Sequence, residues 1–153
     1  MSSLTMSSSD KPTGYVALIA HDAKKDVMVA FVERHRAFLQ SQRLIGTRTT
    51  GTLVQNKTGL PVTTMLSGPL GGDLQIGALV ATNEVRAVVF LRDPLTAHPH
   101  EPDIAALMKV CDVYDVPLAT NLASAHVLVE HLARSDRASR RGACRGICPI
   151  RPH

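Results

Sequence analysis

The chain has 153 residues, which is enough for one domain and too few for two ordinary ones. Hydrophobic residues make up 44% of it and aromatic residues only 3%, with no tryptophan, so it is globular in composition and lacks the material for stacking on nucleic-acid bases. Six of its 17 basic residues lie in the segment 133–153 with a single acid, and the nearly neutral remainder argues against general binding to nucleic acids.

Short apolar runs alternate with helical patterns along the chain. The first strand is predicted at Tyr15–Ala20, and Ala23–Gln40 follows with the spacing of one apolar helix face. The other predicted strands are 43–47, 62–66, 86–91 and 116–120, and the other predicted helices are 50–58, 73–83, 104–114 and 124–132. Because parallel strands are joined by helical crossovers, this alternation predicts an α/β fold. We expect a three-layer, doubly wound, Rossmann-like sheet of five mainly parallel strands flanked by helices.

The two ends differ from the body in composition. Residues 1–13 are polar and are predicted to be disordered, 14–132 form the α/β domain, and 133–153 are predicted to be a basic, poorly ordered or divergent tail. No secretory leader or membrane-spanning run is evident, and three cysteines fit a reducing cytoplasm. The spacing of Cys144 and Cys148 is not that of a zinc knuckle, so no metal site is predicted.

Reactive side chains cluster after the predicted strands. The carboxyl ends of parallel strands form the ligand-binding edge of such a sheet, so the residues that follow them are candidates for a site. These residues are His21, Asp22, Lys24 and Lys25, then 47–51, then 67–73, then Asp93, His98, His100, Glu101 and Asp103, and finally Thr120 and Asn121.

Two of these loops have the composition of an anion site. The segments 47–51 (TRTTG) and 67–72 (SGPLGG) each lead into a predicted helix, whose free N–H groups and positive dipole end favour phosphate. Hydroxyl groups and Lys25 add donors and charge. Neither loop is a P-loop or a full dinucleotide fingerprint, and ordinary helix capping by Thr49 or Asp73 is the alternative interpretation.

Carboxylates and imidazoles on the same edge are suited to moving protons. Removing a proton next to a carbonyl group needs a carboxylate base and a donor for the developing oxyanion. Each candidate also has a structural interpretation: Asp103 as a helix cap, Asp93 as a turn residue and His35 as core packing.

From about Tyr15 to Val129 the sequence resembles the methylglyoxal synthase family. The resemblance is carried by AHD at 20–22 with Lys25, the threonine-rich turn, SGPLGGDLQIGA at 67–78, FLRDPLTAHPHEPDI at 90–104 and CDVYDVPLATN at 111–121.

The resemblance implies a cytoplasmic lyase that converts dihydroxyacetone phosphate, through an enediolate, to methylglyoxal and inorganic phosphate. It implies no metal and no organic cofactor, a homohexamer, and allosteric regulation and inhibition by phosphate. It also implies that Asp73 is the catalytic base, that His100 lies beside the substrate oxygens, and that Asp103 and His21 complete the catalytic group. The implied substrate- and phosphate-binding residues are His21, Lys25, Thr47, Arg48, Thr49, Thr50, Ser67, Gly68 and His100, supported by Asp22 and Asp93.

Three departures from the family pattern stand out. Arg48 replaces the usual glycine and either changes that turn or joins the anion site. Lys109 stands where arginine is common, and a lysine cannot make a bidentate ion pair with a neighbouring subunit. The match ends near His131, so the family's C-terminal arginine for a neighbouring subunit's phosphate is not placed.

Two other functions are compatible with parts of the sequence. Related domains act as non-catalytic anion sensors at the end of the large chain of carbamoyl phosphate synthetase, but the presence of Asp73, His100 and Asp103 favours catalysis here. A nucleic-acid or scaffold protein acting through segment 133–153 is the third possibility.

Overall fold

Five parallel strands form a single sheet in the middle of the molecule. The computed structural model describes residues 13–144, the last three by their backbone alone. The strands are β1 (Tyr15–Ala20), β2 (Arg43–Gly46), β3 (Val62–Thr64), β4 (Val85–Leu91) and β5 (Leu118–Ala119). Every pairing is parallel, in the order β3-β2-β1-β4-β5, which confirms the predicted doubly wound α/β sheet.

Helices cover both faces of the sheet. They are α1 (Lys25–Arg34), α2 (Arg36–Leu39), α3 (Arg48–Thr58), α4 (Gly72–Ala81), α5 (Glu101–Val113) and α6 (Leu122–Cys144), with short 3-10 turns at Asp22–Lys24 and Gly68–Leu70. The prediction of one continuous helix over Ala23–Gln40 is wrong, because this segment forms two helices, α1 and α2. His35 leaves helical geometry (φ −104°, ψ 22°), and the chain turns there to place Leu39 in the core.

Alternate residues of β1 enter two separate hydrophobic layers. Val16 and Leu18 pack in the layer formed with α1, α3 and α6, whereas Ala17 and Ile19 pack in the layer formed with α4 and α5. Because both faces of the strand are covered, its sequence is apolar at every position rather than at alternate ones. No helix within residues 13–144 combines the length and the apolar character needed to cross a bilayer.

The last helix is longer than its apolar pattern predicts. The pattern ends at Leu132, but α6 continues to Cys144, and polar contacts at Asp136 tie it to the sheet. Arg86 of β4 donates from Nη2 to Asp136 Oδ1 (2.9 Å) and from Nη1 to Asp136 Oδ2 (3.0 Å), and also to the side-chain oxygen of Gln42 (2.8 Å). The segment predicted as a poorly ordered tail over 133–153 therefore begins inside an anchored helix. Residues 1–12 and 145–153, with Cys148, lie outside the described residues.

Removing the carboxylate that anchors α6 should destabilise the protein. We expect Asp136→Ala to lower the free energy of unfolding by about 2 kcal/mol, because Arg86 then keeps a mostly buried charge without its partner. Denaturant unfolding measures this difference. Ser135→Ala, an exposed change on the same helix, is the control and should stay within about 0.5 kcal/mol of the parent. A loss for Asp136→Ala no larger than that of the control would contradict the anchoring role.

Candidate active site

A pocket of about 170 Å³ lies at the carboxyl edge of the sheet. The chain leaves β1 toward α1 on one face and leaves β4 toward α5 on the other, so a crevice opens between these two neighbouring strands. The β3–α4 loop reaches the same crevice. The pocket is lined by Ile19, Ala20, His21, Asp22, Lys25, Thr47, Thr49, Gly68, Pro69, Asp73, His98, Pro99 and His100.

The carboxylate of Asp73 is buried without a hydrogen bond. It lies in the first turn of α4 with 0% exposure, and neither oxygen has a hydrogen-bond partner among the described residues. His100 Nε2 lies 3.5 Å from Asp73 Oδ2, beyond ordinary hydrogen-bond distance. Burial raises the pKa of Asp73, with a smaller increase from the nearby charge of Asp103, while His100 opposes the shift. A carboxylate of raised basicity beside an imidazole is suited to accept a proton from carbon.

His21 lines the pocket and carries a hydrogen-bond donor that has no partner among the described residues. Its Nδ1 accepts the backbone N–H of Asp93 (2.9 Å), so in the neutral ring the proton is on Nε2. That Nε2 is buried and has no partner among the described residues. Burial, together with the charges of His98, His100 and Arg92, lowers the pKa of His21 to about 4, so the ring is neutral near pH 7.

Another group of residues at the pocket has the features of an anion site. Lys25 lines it from the first turn of α1 and forms an ion pair with the exposed carboxylate of Asp22. The N-terminus of α3 also faces this region, where the N–H of Arg48 is donated to Leu66 O (3.3 Å). The next N–H groups, of Thr49 and Thr50, belong to the helix turn that has no intrahelical acceptors. An ammonium group and free helical N–H groups are the usual partners of a phosphate.

Two glycines of the SGPLGG loop are required by close contacts. A Cβ on Gly68 would lie 2.9 Å from His100 Nε2, so the absence of a side chain lets the imidazole occupy its place in the pocket. A Cβ on Gly72 would lie 2.0 Å from the carbonyl oxygen of Leu66, so α4 can begin where it does only with glycine there. Gly68 therefore leaves room for His100. Gly72 lets α4 begin at that residue, which places Asp73, the next residue, in the first turn of the helix.

The predicted site residues divide into two groups. Those that line the pocket are His21, Asp22, Lys25, Thr47, Thr49, Gly68, Asp73 and His100. Those that do not line it are Arg48, Thr50, Ser67, Asp93 and Asp103.

Residues of the second group lie around the pocket in identifiable positions. The Thr50 hydroxyl is buried, accepts the N–H of Ala20 and donates to the carbonyl of Ala20 (both 3.2 Å), which joins α3 to the end of β1. Arg48 is exposed at the start of α3. Asp93 donates its backbone N–H to the ring of His21. Asp103 is in the first turn of α5, where its charge acts on Asp73.

His98 was predicted only as one of several polar residues at the sheet edge. The structure places its ring flat against that of His21, with centroids 3.7 Å apart and an interplanar angle of 22°. The sequence shows a histidine at this position, but its spacing does not distinguish a ring that stacks on His21 from an exposed side chain of a loop.

Comparisons with known proteins show the family of the chain. A family model described as the MGS-like domain matches residues 27–120. The chain is 59% identical over 131 residues to a methylglyoxal synthase of Cupriavidus taiwanensis, an alignment that covers 86% of this chain and 98% of that protein. It is 64% identical over 114 residues to a methylglyoxal synthase of Thermus thermophilus, with 74% and 90% covered. The chain belongs to the methylglyoxal synthase family.

A solved structure extends the match to three dimensions. The methylglyoxal synthase of Elizabethkingia anophelis superposes with a TM-score of 0.72 at 39% identity, over 76% of this chain and 77% of that one. The family resemblance and the fold expected from the sequence are thus confirmed. The roles that the methylglyoxal synthase family implies for individual site residues stay predictions. The same holds for the loss of a bidentate ion pair with a neighbouring subunit at Lys109.

Proposed function

We propose that this chain is a methylglyoxal synthase, a carbon–oxygen lyase that eliminates phosphate from dihydroxyacetone phosphate. The observation that carries the proposal is the carboxylate of Asp73, fully buried, without a hydrogen bond among the described residues, and 3.5 Å from the imidazole of His100. A buried carboxylate without a hydrogen bond costs stability, so its presence here is best explained by a task in the reaction.

The phosphoryl group of the substrate would bind beside Lys25 and the start of α3. Its negative charge matches the ammonium group, and its oxygens can accept the N–H groups of Thr49 and Thr50 and the hydroxyl of Thr49. The hydroxyl of Thr47 donates to that of Thr50 (3.3 Å). Binding of the phosphoryl group beside Lys25 would leave the three-carbon part of the substrate to reach Asp73, which lines the same pocket.

Proton removal from carbon would be the first chemical step. Asp73 takes the proton from the hydroxymethyl carbon, and the C–H electron pair becomes the carbon–carbon double bond of the enediolate. The carbonyl oxygen thereby gains negative charge, which the Nε2–H of His21 and the ring of His100 can stabilise by donating hydrogen bonds. Since a carboxylate is a weak base for a carbon acid, this stabilisation must supply much of the driving force.

Phosphate loss would then complete the reaction. The hydroxyl group of the enediolate gives its proton to the leaving phosphate and becomes the aldehyde carbonyl, and the electrons of the carbon–carbon double bond shift to form a double bond to the phosphate-bearing carbon. The bond from that carbon to the bridging oxygen breaks, and its electron pair leaves with inorganic phosphate. The resulting enolate takes back a proton from Asp73 on its terminal carbon and becomes methylglyoxal. Loss of phosphate requires the breaking carbon–oxygen bond to lie perpendicular to the enediolate plane. Rigid binding of the phosphoryl group in that orientation therefore favours elimination of phosphate over its retention.

Further properties expected from the family form part of the proposal. Inorganic phosphate is both a product and an inhibitor, because it has the same charged oxygens as the phosphoryl group of the substrate and can bind at Lys25 and the start of α3. We also propose a cytoplasmic homohexamer that responds allosterically to phosphate, with no metal or organic cofactor in the reaction.

The proposal is tested by supplying dihydroxyacetone phosphate and measuring methylglyoxal and inorganic phosphate together. We expect the two products in equal amounts, at a rate proportional to enzyme and well above a blank without protein. Phosphate binding without formation of methylglyoxal would instead support the non-catalytic anion sensor. Binding of nucleic acid that weakens steeply with salt and disappears on deletion of 133–153 would support the third possibility.

A further inference from the structure

His21 is held between two aromatic rings. His98, from the loop between β4 and α5, stacks on one side at 3.7 Å between centroids, and Phe90 of β4 meets the ring edge-on at 5.1 Å and 79°. These contacts restrict rotation of the His21 ring about its side-chain bonds. The orientation of its two nitrogens is therefore set by the surrounding protein before any substrate binds.

The main chain of Asp93 makes a hydrogen bond to each of the two histidines. Its N–H donates to His21 Nδ1 (2.9 Å), and its carbonyl oxygen lies 3.3 Å from His98 Nε2. A carbonyl can only accept, so this contact requires a proton on His98 Nε2. The Asp93 side chain further accepts the N–H of Leu95 (3.1 Å), which stabilises the turn that presents both main-chain groups.

Protonation of His21 is incompatible with this arrangement. A second proton would have to be placed on Nδ1, directly against the N–H of Asp93, and the hydrogen bond would be lost. The other ionisable groups that act on the ring are His98, His100 and Arg92, which oppose its protonation, and Glu101, which favours it more weakly. A neutral ring also leaves the basicity of Asp73 undiminished, because a cation in the same pocket would stabilise its charged form.

We propose that His98 is a positioning residue that holds His21 as a neutral Nε2–H donor toward the carbonyl oxygen of the substrate. It acts in two ways, through its stacked ring and through its hydrogen bond to the Asp93 carbonyl. The substrate part of this inference rests on the proposed function, whereas the state of His21 is a property of the free protein.

The first measurement needs no substrate and no variant. Nitrogen-15 NMR of the histidines in the full-length protein should show His21 with its proton on Nε2 and Nδ1 unprotonated, and still neutral at pH 6, since its pKa is lowered to about 4. A proton on Nδ1, or titration near the ordinary value of about 6.5, would overturn the inference.

The second measurement uses His98→Ala and His98→Phe. In His98→Ala the ring of His21 becomes more exposed and loses an opposing charge, so its pKa should rise toward about 6.5 and kcat should fall about tenfold at pH 8, as when a supporting partner of a histidine is lost. Inhibition by inorganic phosphate at pH 8 should stay within about twofold, because the phosphate side of the pocket is untouched. His98→Phe keeps a ring on His21 and should recover part of kcat.

The control is His131→Ala, an exposed change on α6. Unchanged titration of His21 in His98→Ala, or a loss of kcat matched by equally weakened phosphate inhibition, would contradict the positioning role. If the protein forms no methylglyoxal while His21 keeps the expected tautomer and His98→Ala raises its pKa, the proposed function fails and the effect of His98 on His21 stands.

Discussion

Asp73→Asn is expected to lower turnover of dihydroxyacetone phosphate by at least about 10³-fold, because the amide cannot accept the proton that the carboxylate removes. Methylglyoxal formation measures the loss. Binding of inorganic phosphate should stay within about threefold of the parent, since Lys25 and the start of α3 remain intact. Substantial turnover in this variant would remove Asp73 as the base.

The same variant should not unfold more easily than the parent. Burial raises the pKa of Asp73 above its value in the unfolded chain, so the ionised carboxylate costs stability at neutral pH, and this cost disappears as the pH falls through the raised pKa. We therefore expect the Tm of Asp73→Asn to equal or exceed that of the parent at pH 7, and the difference to shrink in acid. A lower Tm at pH 7 would mean that the lost activity reflects damage to the fold.

A matched control for this result lies in the same pocket. Asp22 also lines it, but its carboxylate is 97% exposed and paired with Lys25. Asp22→Asn should keep turnover within about tenfold of the parent, because an exposed carboxylate has neither the burial nor the position of a base. Equal losses in both variants would indicate that the overall charge of the pocket, rather than Asp73, determines the rate.

Lys25→Ala is expected to lower kcat/KM for dihydroxyacetone phosphate by about 10–100-fold and to weaken phosphate inhibition by a similar factor. Loss of a charge-assisted hydrogen bond costs about 1.5–3 kcal/mol, which corresponds to that range. Initial rates at varied substrate and phosphate concentrations measure both effects.

The neighbouring lysine separates a specific contact from general attraction. Lys24 precedes Lys25 directly but does not line the pocket. Lys24→Ala removes the same charge and should change both constants by less than about threefold. Equal effects of the two substitutions, both disappearing at high salt, would contradict a direct contact between Lys25 and the phosphoryl group.

The order of helices and strands could be predicted from the sequence, but the break at His35 and the end of α6 could not. Buried parallel strands are apolar at every position, so Tyr15–Ala20 was predicted with its observed bounds. The break at His35 and the extension of α6 to Cys144 have no local signal, because both depend on contacts with distant elements. Asp136, which anchors that extension, lies 50 residues from its partner Arg86 in the chain.

Part of the candidate site could also be predicted from the sequence. The rule that ligands bind at the carboxyl ends of parallel strands identified Lys25, Asp73 and His100, which line one pocket. It could not show that the hydroxyl of Thr50 is used within the fold, because a threonine at a helix start is equally suited to bind a ligand.

By itself, the sequence determined the alternation of buried strands and helices and the family motifs, because these depend on neighbours in the chain. Only the tertiary structure decided which polar groups share the pocket and which state they adopt. His21 accepts from a backbone group 72 residues away, and Asp73 is isolated from hydrogen-bond partners within the described residues. Burial and distance set the basicity and the free donors of these side chains, and neither exists until the sheet has assembled.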